Sequence, residues 1–297
     1  MALAVWSERV LELLLKMNNL QHAGCLPFCV QGQRVGWVTQ PVAQVLLQSS
    51  DIFTLYKEDS GARLELSDRL RTPHERTRAV QEVMEALRGR GAFPCLQEWS
   101  DELLDVKTFF SDPPLLSVER AATPLLGVSR RGVNVNGFLR RGSKIFMWIA
   151  RRSLTKHNYP GMLDHLAAGG ISAGSGVWET LLKECEEEAC IPESLASKAR
   201  PAGTVSYAYE MDDALYLECE YVFDLEVPES FQPHAGDGEV QEFYLWPLDK
   251  VRDAIATQEF KPNCALAVLD FLIRNGHIQP DEEKYYTKFV ENLHRPL

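Results

Sequence analysis

The sequence predicts an α/β protein with a mixed sheet, preceded by a small α+β domain. Strand-like segments stand before and after one strongly patterned helix, without the regular strand–helix alternation of a doubly wound fold. The composition, 45% hydrophobic and 25% charged over 297 residues, is typical of a globular chain long enough for two domains. Prolines interrupt the patterning in "SDPPLLSVERAATP", so the predicted domains are residues 1–118 and 119–297.

Three segments predict the elements of the first domain. Residues 1–20 carry apolar side chains at helical spacing, and residues 35–38 form a strand pattern ahead of a helix that starts at a proline. A further helix is predicted over residues 73–89, with Thr72 as its N-cap and Gly89 at its end. Together these segments indicate a small α+β unit.

The second domain begins with two strand candidates, "LLGVSRRGVNVNGFLRR" and "KIFMWIARRS", which are rich in strand formers and separated by turn residues. A glycine-rich loop and an acidic helix follow, and then strands in "TVSYAYE" and "ALYLECEYVFDLEV". The chain closes with predicted helices near residues 248–256, 262–275 and 281–294. This order favours helices packed on the faces of one mixed sheet.

Charge and residue usage disfavour several classes of protein. The 31 Lys and Arg against 42 Asp and Glu give a net charge of −11, which argues against nucleic-acid binding as the main role. No apolar run approaches about 18 residues, so we expect no membrane association and no secretory signal. Glu8 and Glu12 interrupt the first helix and disfavour an organelle import signal, without excluding one.

The cysteines indicate the cellular location. All seven lack CxxC or zinc-type spacing, which indicates reduced thiols, and the predicted location is cytoplasmic. The pattern does not determine the oligomeric state.

The stretch "GGISAGSGVWETLLKECEEEACIP" carries the strongest chemical signal. Its glycines are followed by neither GK[ST] nor a GxGxxG pattern, so the familiar phosphate loops are excluded. Glu184, Glu187 and Glu188 stand at i, i+3 and i+4, which places three repelling carboxylates on one helix face. Such oxygens suit Mg²⁺ or Mn²⁺, and Mg²⁺ commonly shares its ligand shell with substrate phosphates. A solvated helix face is the alternative; the preceding glycines and an apolar opposite face favour a metal site.

The same stretch resembles the Nudix box, G-x5-E-x7-R-E-U-x-E-E-x-G-U, in which U is a bulky apolar residue. Gly169 matches the first glycine, Glu184 the acid after the arginine, and Glu187 with Glu188 the acidic pair. The resemblance implies an α/β/α sandwich over about residues 120–280. It also implies a loop–helix–loop that binds a divalent metal and directs water onto a small-molecule diphosphate.

Three positions depart from the box. Ser175 stands in place of the first glutamate, Lys183 in place of the arginine, and Cys190 in place of the last glycine. Lys183 keeps the positive charge but cannot form the planar, bidentate hydrogen bonds that a guanidinium donates to a carboxylate. Ser175 removes a carboxylate that helps to hold the loop or the metal shell, and its alternative role is that of a helix N-cap. A weakly active or non-catalytic diphosphate-binding module is therefore one alternative to an enzyme.

Longer stretches of the chain resemble one branch of the Nudix superfamily. "ARRSLTKHNYPGMLDHLAAGGISAG", "DGEVQEFYLWPLDKV" and "KPNCALAVLDFLIRNGHI" resemble the Nudix domain fused to yeast thiamine pyrophosphokinase and its free-standing fungal and plant relatives. "FCVQGQRVGWVTQPVAQVLL" resembles the extra N-terminal domain of those relatives. The implied activity is hydrolysis of thiamine diphosphate, and preferentially of its damaged oxo- and oxy-derivatives, to the monophosphate and phosphate. Another nucleoside-diphosphate-type substrate is the alternative.

A basic segment supplies the expected phosphate contacts. Between Glu119 and Asp164 the chain has nine Lys or Arg residues and no acid, which would attract a diphosphate despite the overall negative charge. Arg151 and Lys156 are the preferred contacts, together with Gly169 and Gly170 of the loop.

The predicted catalytic residues are carboxylates. Glu188 is the first candidate for the general base, beside Glu187, and Glu239 and Glu242 in "GDGEVQEF" are the downstream candidates. We assign no role to three histidines that we expect at the surface, which are His157, His165 and His234.

Overall fold

The computed structural model describes residues 3–21, 23–58, 61–156 and 158–297. The helices are α1 (Leu3–Met17), α2 (Gln40–Leu46), α3 (Pro73–Gly89), α4 (Thr123–Leu126), α5 (Val177–Ala189), α6 (Glu193–Ala196), α7 (Leu248–Ile255), α8 (Pro262–Arg274) and α9 (Tyr286–Leu293). The strands are β1 (Leu26–Val30), β2 (Gln33–Val38), β3 (Phe53–Glu58), β4 (Gly61–Leu66), β5 (Leu103–Val106), β6 (Leu116–Glu119), β7 (Ser129–Arg141), β8 (Lys144–Arg152), β9 (Leu163–Asp164), β10 (Ala167–Gly170), β11 (Arg200–Met211), β12 (Ala214–Glu226) and β13 (Val240–Pro247). Within these described ranges, no helix combines the length and the apolar character that crossing a bilayer requires.

The first half of the chain contains a sheet in the order β2–β1–β4–β3. α2 and α3 share one apolar core with its strands, to which Phe28, Phe53 and Met84 contribute. α3 begins where predicted, because Thr72 and Glu75 form a reciprocal cap. The Thr72 hydroxyl accepts from the Glu75 N–H at 3.2 Å, and the Glu75 carboxylate accepts from the Thr72 N–H at 2.9 Å.

The second half forms a larger mixed sheet in the order β11–β12–β7–β8–β13, with β10 paired to β7 and β9 to β8. β7 and β12 are parallel, whereas β7–β8, β8–β13 and β11–β12 are antiparallel. Leu181 of α5 and Leu195 of α6 pack in one core with Val133 of β7 on one face. Phe271 of α8 packs with Phe138 of β7 on the other face, at 5.3 Å between ring centroids. This arrangement confirms the predicted α/β/α sandwich.

α1 confirms the predicted amphipathic helix but packs on the second half of the chain. Trp6, Val10 and Leu14 lie in the same core as α7, α8 and α9, and the Trp6 ring meets Phe289 edge-on at 6.0 Å. The Trp6 indole N–H donates to the Arg252 carbonyl at 2.6 Å. The first helix therefore belongs to a different core from the sheet that follows it, while the division at residue 118 stays a prediction.

The hairpin of β5 and β6 lies beside the predicted boundary and is in contact with both halves. β6 packs against α3, and Leu116 and Val118 are buried in the core of the first half. The other strand, β5, reaches the glycine-rich loop that precedes α5, where the Leu103 carbonyl accepts from the Ala173 N–H at 2.7 Å.

Candidate active site

The glycine loop and α5 meet at a close contact between Gly169 and Glu184. A Cβ atom at Gly169 would lie 2.2 Å from Cδ of Glu184, far inside van der Waals contact. Only a glycine lets the Glu184 carboxylate lie against β10, which accounts for a glycine at the start of the motif. β10 itself is held in place by antiparallel pairing with β7.

Glu188 projects from the same face of α5 into a nearly closed environment. Glu188 is 8% exposed, and its carboxylate accepts a hydrogen bond from the Ala168 N–H at 2.8 Å. Burial, together with the nearby charge of Asp164, raises the pKa of Glu188 to about 8. Burial also raises the pKa of Glu184. One buried and one half-buried carboxylate on the same helix face favour a cation that would compensate their charge, so this donor set fits Mg²⁺ or Mn²⁺.

Lys183 lies between two of these carboxylates. Its ammonium nitrogen is 3.5 Å from a Glu184 oxygen and 3.5 Å from a Glu187 oxygen. The Lys183 side chain is 55% exposed, so it can turn toward solvent when a metal ion takes its place. Lysine at this position thus contacts the proposed ligands directly and balances their charge in the absence of metal.

A cavity of about 550 Å³ extends from these glutamates toward β7, β11 and β12. It is lined by most of the predicted site residues, namely Lys156, Gly169, Gly170, Lys183, Glu184, Glu187, Glu188 and Glu239. Glu102 and Arg120 from the β5–β6 region also line it, so both halves of the chain contribute to the wall. Residues that are distant in sequence therefore converge on one space large enough for a small molecule.

Arg151 and Glu242 are separated from this cavity. They are neighbours on β8 and β13, with 4.0 Å between the Arg151 Nε and a Glu242 oxygen. Arg151 also donates to the Tyr244 hydroxyl at 3.1 Å and to the Gly161 carbonyl at 2.7 Å. Successive side chains alternate across a strand, so Arg152 rather than Arg151 lines the cavity.

Lys156 and Glu239 form an ion pair at the cavity wall. The pair joins the segment after β8 to the loop before β13, and the Ser153 N–H donates to the Glu239 carbonyl at 2.8 Å. The structure thus brings one predicted phosphate contact and one predicted base together.

A second group of potential metal ligands lies behind the site. Ligand atoms of Asp164, His165 and Cys264, all buried, lie within 4.8 Å of one another. However, Asp164 already binds two cations, Arg152 at 2.7 Å and Lys261 at 3.2 Å. Although burial opposes it, these charges hold the pKa of Asp164 well below its usual range. Burial raises the pKa of the Cys264 thiol, so a metal here would face two positive charges and a protonated thiol. This trio does not fit a divalent metal.

Aromatic and acidic residues of β11 and β12 form another part of the cavity wall, where Arg130 of β7 pairs with Glu218. Tyr207, Tyr209, Glu218 and Glu220 line this part. The Tyr207 and Tyr209 rings stack at 6.4 Å between centroids, and the Tyr207 hydroxyl donates to Glu220 at 3.2 Å. Burial and the adjacent charge of Glu218 raise the pKa of Glu220 to about 7. A Cβ atom at Gly132 would lie 2.4 Å from a Glu220 oxygen, so a glycine makes room for that carboxylate.

No role is predicted from the sequence for these four residues or for Lys261, whereas Arg152 belongs to the basic segment that is expected to attract a diphosphate. Tyr207 and Tyr209, and likewise Glu218 and Glu220, stand two apart in strands that had been predicted from "TVSYAYE" and "ALYLECEYVFDLEV". The sequence pattern that could have identified them is the spacing of two, because residues two apart in a strand lie on the same face of the sheet.

The two box departures outside the cavity have structural explanations. α5 starts at Val177 with Gly176 as N-cap, and the Glu179 carboxylate accepts from the Gly176 N–H at 3.3 Å. The alternative role of Ser175 as the cap is therefore wrong. Cys190 ends the helix in a left-handed conformation, with φ of 51°, which is where a glycine is favoured.

Two of the histidines differ in environment. His165 is 2% exposed, so its expected surface position is wrong, whereas His234 is exposed. His157 lies outside the described residues.

Comparison with known proteins agrees with this geometry. Residues 130–264 match the NUDIX domain family, and residues 9–130 match a domain of unknown function, DUF4743. The chain is 40% identical over 264 residues to Nudix hydrolase 24, chloroplastic, of Arabidopsis thaliana, covering 88% of the chain and 70% of the relative. It is 39% identical over 266 residues to Nudix hydrolase 20, chloroplastic, of the same plant, with the same coverage. An uncharacterised protein of Saccharomyces cerevisiae is 32% identical over 308 residues, covering 98% of the chain and 90% of that protein.

Proposed function

Because the chain belongs to the Nudix hydrolase family, we propose that it hydrolyses thiamine diphosphate and its oxidised oxo- and oxy-derivatives to the monophosphate and phosphate. The observation that carries the proposal is the mixed lining of the cavity. The carboxylates of α5 and Lys156 line it together with stacked tyrosines and the buried carboxylate of Glu220. A diphosphate attached to a positively charged aromatic ring system is complementary to both sets of groups.

On α5, Glu184, Glu187 and Glu188 would hold Mg²⁺ or Mn²⁺. A divalent cation supplies activation of water and compensation of charge on the phosphate oxygens. Lys156 and Lys261, which both line the cavity, would orient the diphosphate. Both lysines are already paired with acids, so their charge is held in place before the substrate arrives.

The reaction consumes one water molecule. The water oxygen forms a new bond to phosphorus, the bridging phosphorus–oxygen bond breaks, and the monophosphate leaves with the bond electrons. Glu188 is the first candidate to accept the proton of the water, and Glu239 is the second, because both line the cavity. Glu242 is a weaker candidate, since it is exposed and lies beside Arg151.

On β11 and β12, Tyr207 and Tyr209 offer aromatic surface and Glu220 offers a hydrogen-bond acceptor. Such groups would select a ring that carries positive charge or amino donors. Removal of oxidised cofactor would keep an inactive analogue from occupying thiamine-dependent enzymes. The cytoplasmic location stays a prediction, and the two plant relatives are both named chloroplastic.

The test is phosphate release from a panel of diphosphates with and without Mg²⁺. We expect turnover of thiamine diphosphate and faster turnover of its oxo- and oxy-derivatives, with activity abolished by a chelator. Glu188→Gln should lower kcat about 100-fold or more. Glu186→Gln, on an exposed position of the same helix, is the matched control and should leave kcat unchanged.

Three outcomes would contradict the proposal in different ways. Preferential turnover of a nucleoside diphosphate sugar would refute the substrate. Binding of Mg²⁺ and thiamine diphosphate without any turnover would indicate a non-catalytic module. Full activity in Glu188→Gln would refute the assignment of the site.

A further inference from the structure

We infer that strand β5 of the N-terminal half positions the glycine loop of the active site, and that Glu102 and Asp105 are the positioning residues. Together they take over the task of the carboxylate that the box motif has at position 175. This role goes beyond the proposed function, because it holds whichever diphosphate is cleaved.

Three consecutive loop residues are bound to β5 and the residue before it. The Ser172 hydroxyl donates to the Glu102 carboxylate at 2.7 Å. The Ala173 N–H donates to the Leu103 carbonyl at 2.7 Å, and the Gly174 N–H donates to the Asp105 carboxylate at 3.1 Å. Hydrogen bonds to a charged acceptor are stronger than neutral ones, so the two carboxylates dominate this attachment.

The carboxylates of Glu102 and Asp105 also bind cationic and hydroxyl groups outside the loop. Arg120 lies 3.2 Å from Glu102, and Lys107 lies 3.1 Å from Asp105. The Ser117 hydroxyl, on β6, donates to Asp105 at 2.9 Å. β5 is thus a rigid support, because its acids are oriented by partners before the loop docks on them.

Asp105 also accounts for the serine in the loop. Ser175 and Asp105 line the same small gap, of about 20 Å³, together with Lys107 and Arg131. Asp105 thus already provides the carboxylate that faces the two cations of this gap, Lys107 and Arg131, beside Ser175. The acid is therefore supplied from β5, about 70 residues earlier in the chain.

The attachment lies directly next to the reacting groups. Gly170 precedes the attached residues, and Gly169 supports Glu184. A displacement of about 1 Å in catalytic geometry costs roughly 100-fold in rate, so release of the loop should be visible in turnover.

Hydrogen exchange of the full-length chain, measured without substrate, tests the attachment directly. Asp105→Ala should speed exchange of the Gly174 amide about tenfold, because that N–H loses its acceptor. Asp105→Asn retains an acceptor oxygen and should restore most of the protection. Glu82→Ala, on α3 beside Arg78, is the control and should leave exchange of residues 172–174 unchanged.

Turnover distinguishes positioning from general stability. Asp105→Ala and Glu102→Ala should lower kcat about tenfold or more at a temperature where each variant is fully folded, with rescue by Asp105→Asn and Glu102→Gln. Ser175→Glu should bring no gain in kcat. Unaltered Gly174 exchange in Asp105→Ala, or a large gain in Ser175→Glu, would overturn the inference. Because exchange needs no substrate, failure of the thiamine diphosphate assay alone would leave this test intact.

Discussion

At the residue scale, the site depends on a glycine whose role is space rather than flexibility. Gly169 lies in β10, and its missing side chain leaves room for the Glu184 carboxylate. The next residue, Gly170, is different: the nearest atom to a methyl group added there would be a Glu102 oxygen at 3.9 Å, which is ordinary contact. A methyl group at position 169 would therefore displace the Glu184 carboxylate, whereas one at position 170 would fit without a clash.

We expect Gly169→Ala to lower kcat/KM for diphosphate hydrolysis about 100-fold, because the added methyl group would displace Glu184. Gly170→Ala is the matched control and should retain activity within about threefold. Steady-state kinetics over a range of Mg²⁺ concentrations measure both variants. Equal losses in the two would show that loop flexibility, rather than the contact with Glu184, accounts for the glycines.

At the element scale, α5 ends in a strained conformation. Cys190 adopts φ of 51° as the C-terminal cap, and the Ile191 N–H then donates back to the Cys185 carbonyl at 2.9 Å. A left-handed conformation costs a non-glycine residue roughly 1–2 kcal/mol. The helix thus keeps the geometry that the box glycine favours, with a residue that is less suited to it.

Cys190→Gly should raise the free energy of unfolding by about 1 kcal/mol, because glycine relieves the strain at this cap. Cys190→Ala removes the thiol but keeps the Cβ atom, so it should give no comparable gain. Urea unfolding at a constant m-value measures the difference. A similar rise in both variants would attribute the effect to the thiol.

At the scale of the whole molecule, a buried histidine couples stability to pH. Burial lowers the pKa of His165 to about 4, although the charge of Asp164 opposes this shift. The unfolded chain therefore binds a proton between pH 6.5 and about 4 that the folded protein does not bind. By linkage, the contribution of His165 to stability falls as the pH drops through this window.

We expect His165→Gln to remove this contribution. Relative to the variant, the wild-type chain should lose about 3 kcal/mol of unfolding free energy between about pH 7 and pH 4. The difference between the two proteins is the quantity to measure, since Glu188 and Glu220 have raised pKa values and contribute with the opposite sign. His234→Gln, at an exposed position, is the control. A difference that does not vary with pH would refute the buried neutral histidine.

Several features followed from local patterns alone. The cap at Thr72 and the amphipathic first helix were predictable, because each depends on residues within a few positions of one another. The mixed sheet was predictable from the order of strand and helix patterns along the chain, although its strands pair over long distances in sequence. The packing of α1 on the second half was not predictable, since an amphipathic face does not specify which core it joins.

The sequence by itself determined the chemistry of α5: three carboxylates at i, i+3 and i+4 share a face in any helix. Only the tertiary structure decided which other groups meet them. Arg152 lines the cavity and Arg151 does not. Strand alternation predicts that the two side chains lie on opposite faces of the sheet, but it does not predict which of them faces the cavity. Likewise, Asp105 binds Gly174 across 69 positions of chain. Such a contact depends on how segments that are distant in sequence come together in three dimensions, and no local pattern of residues encodes that.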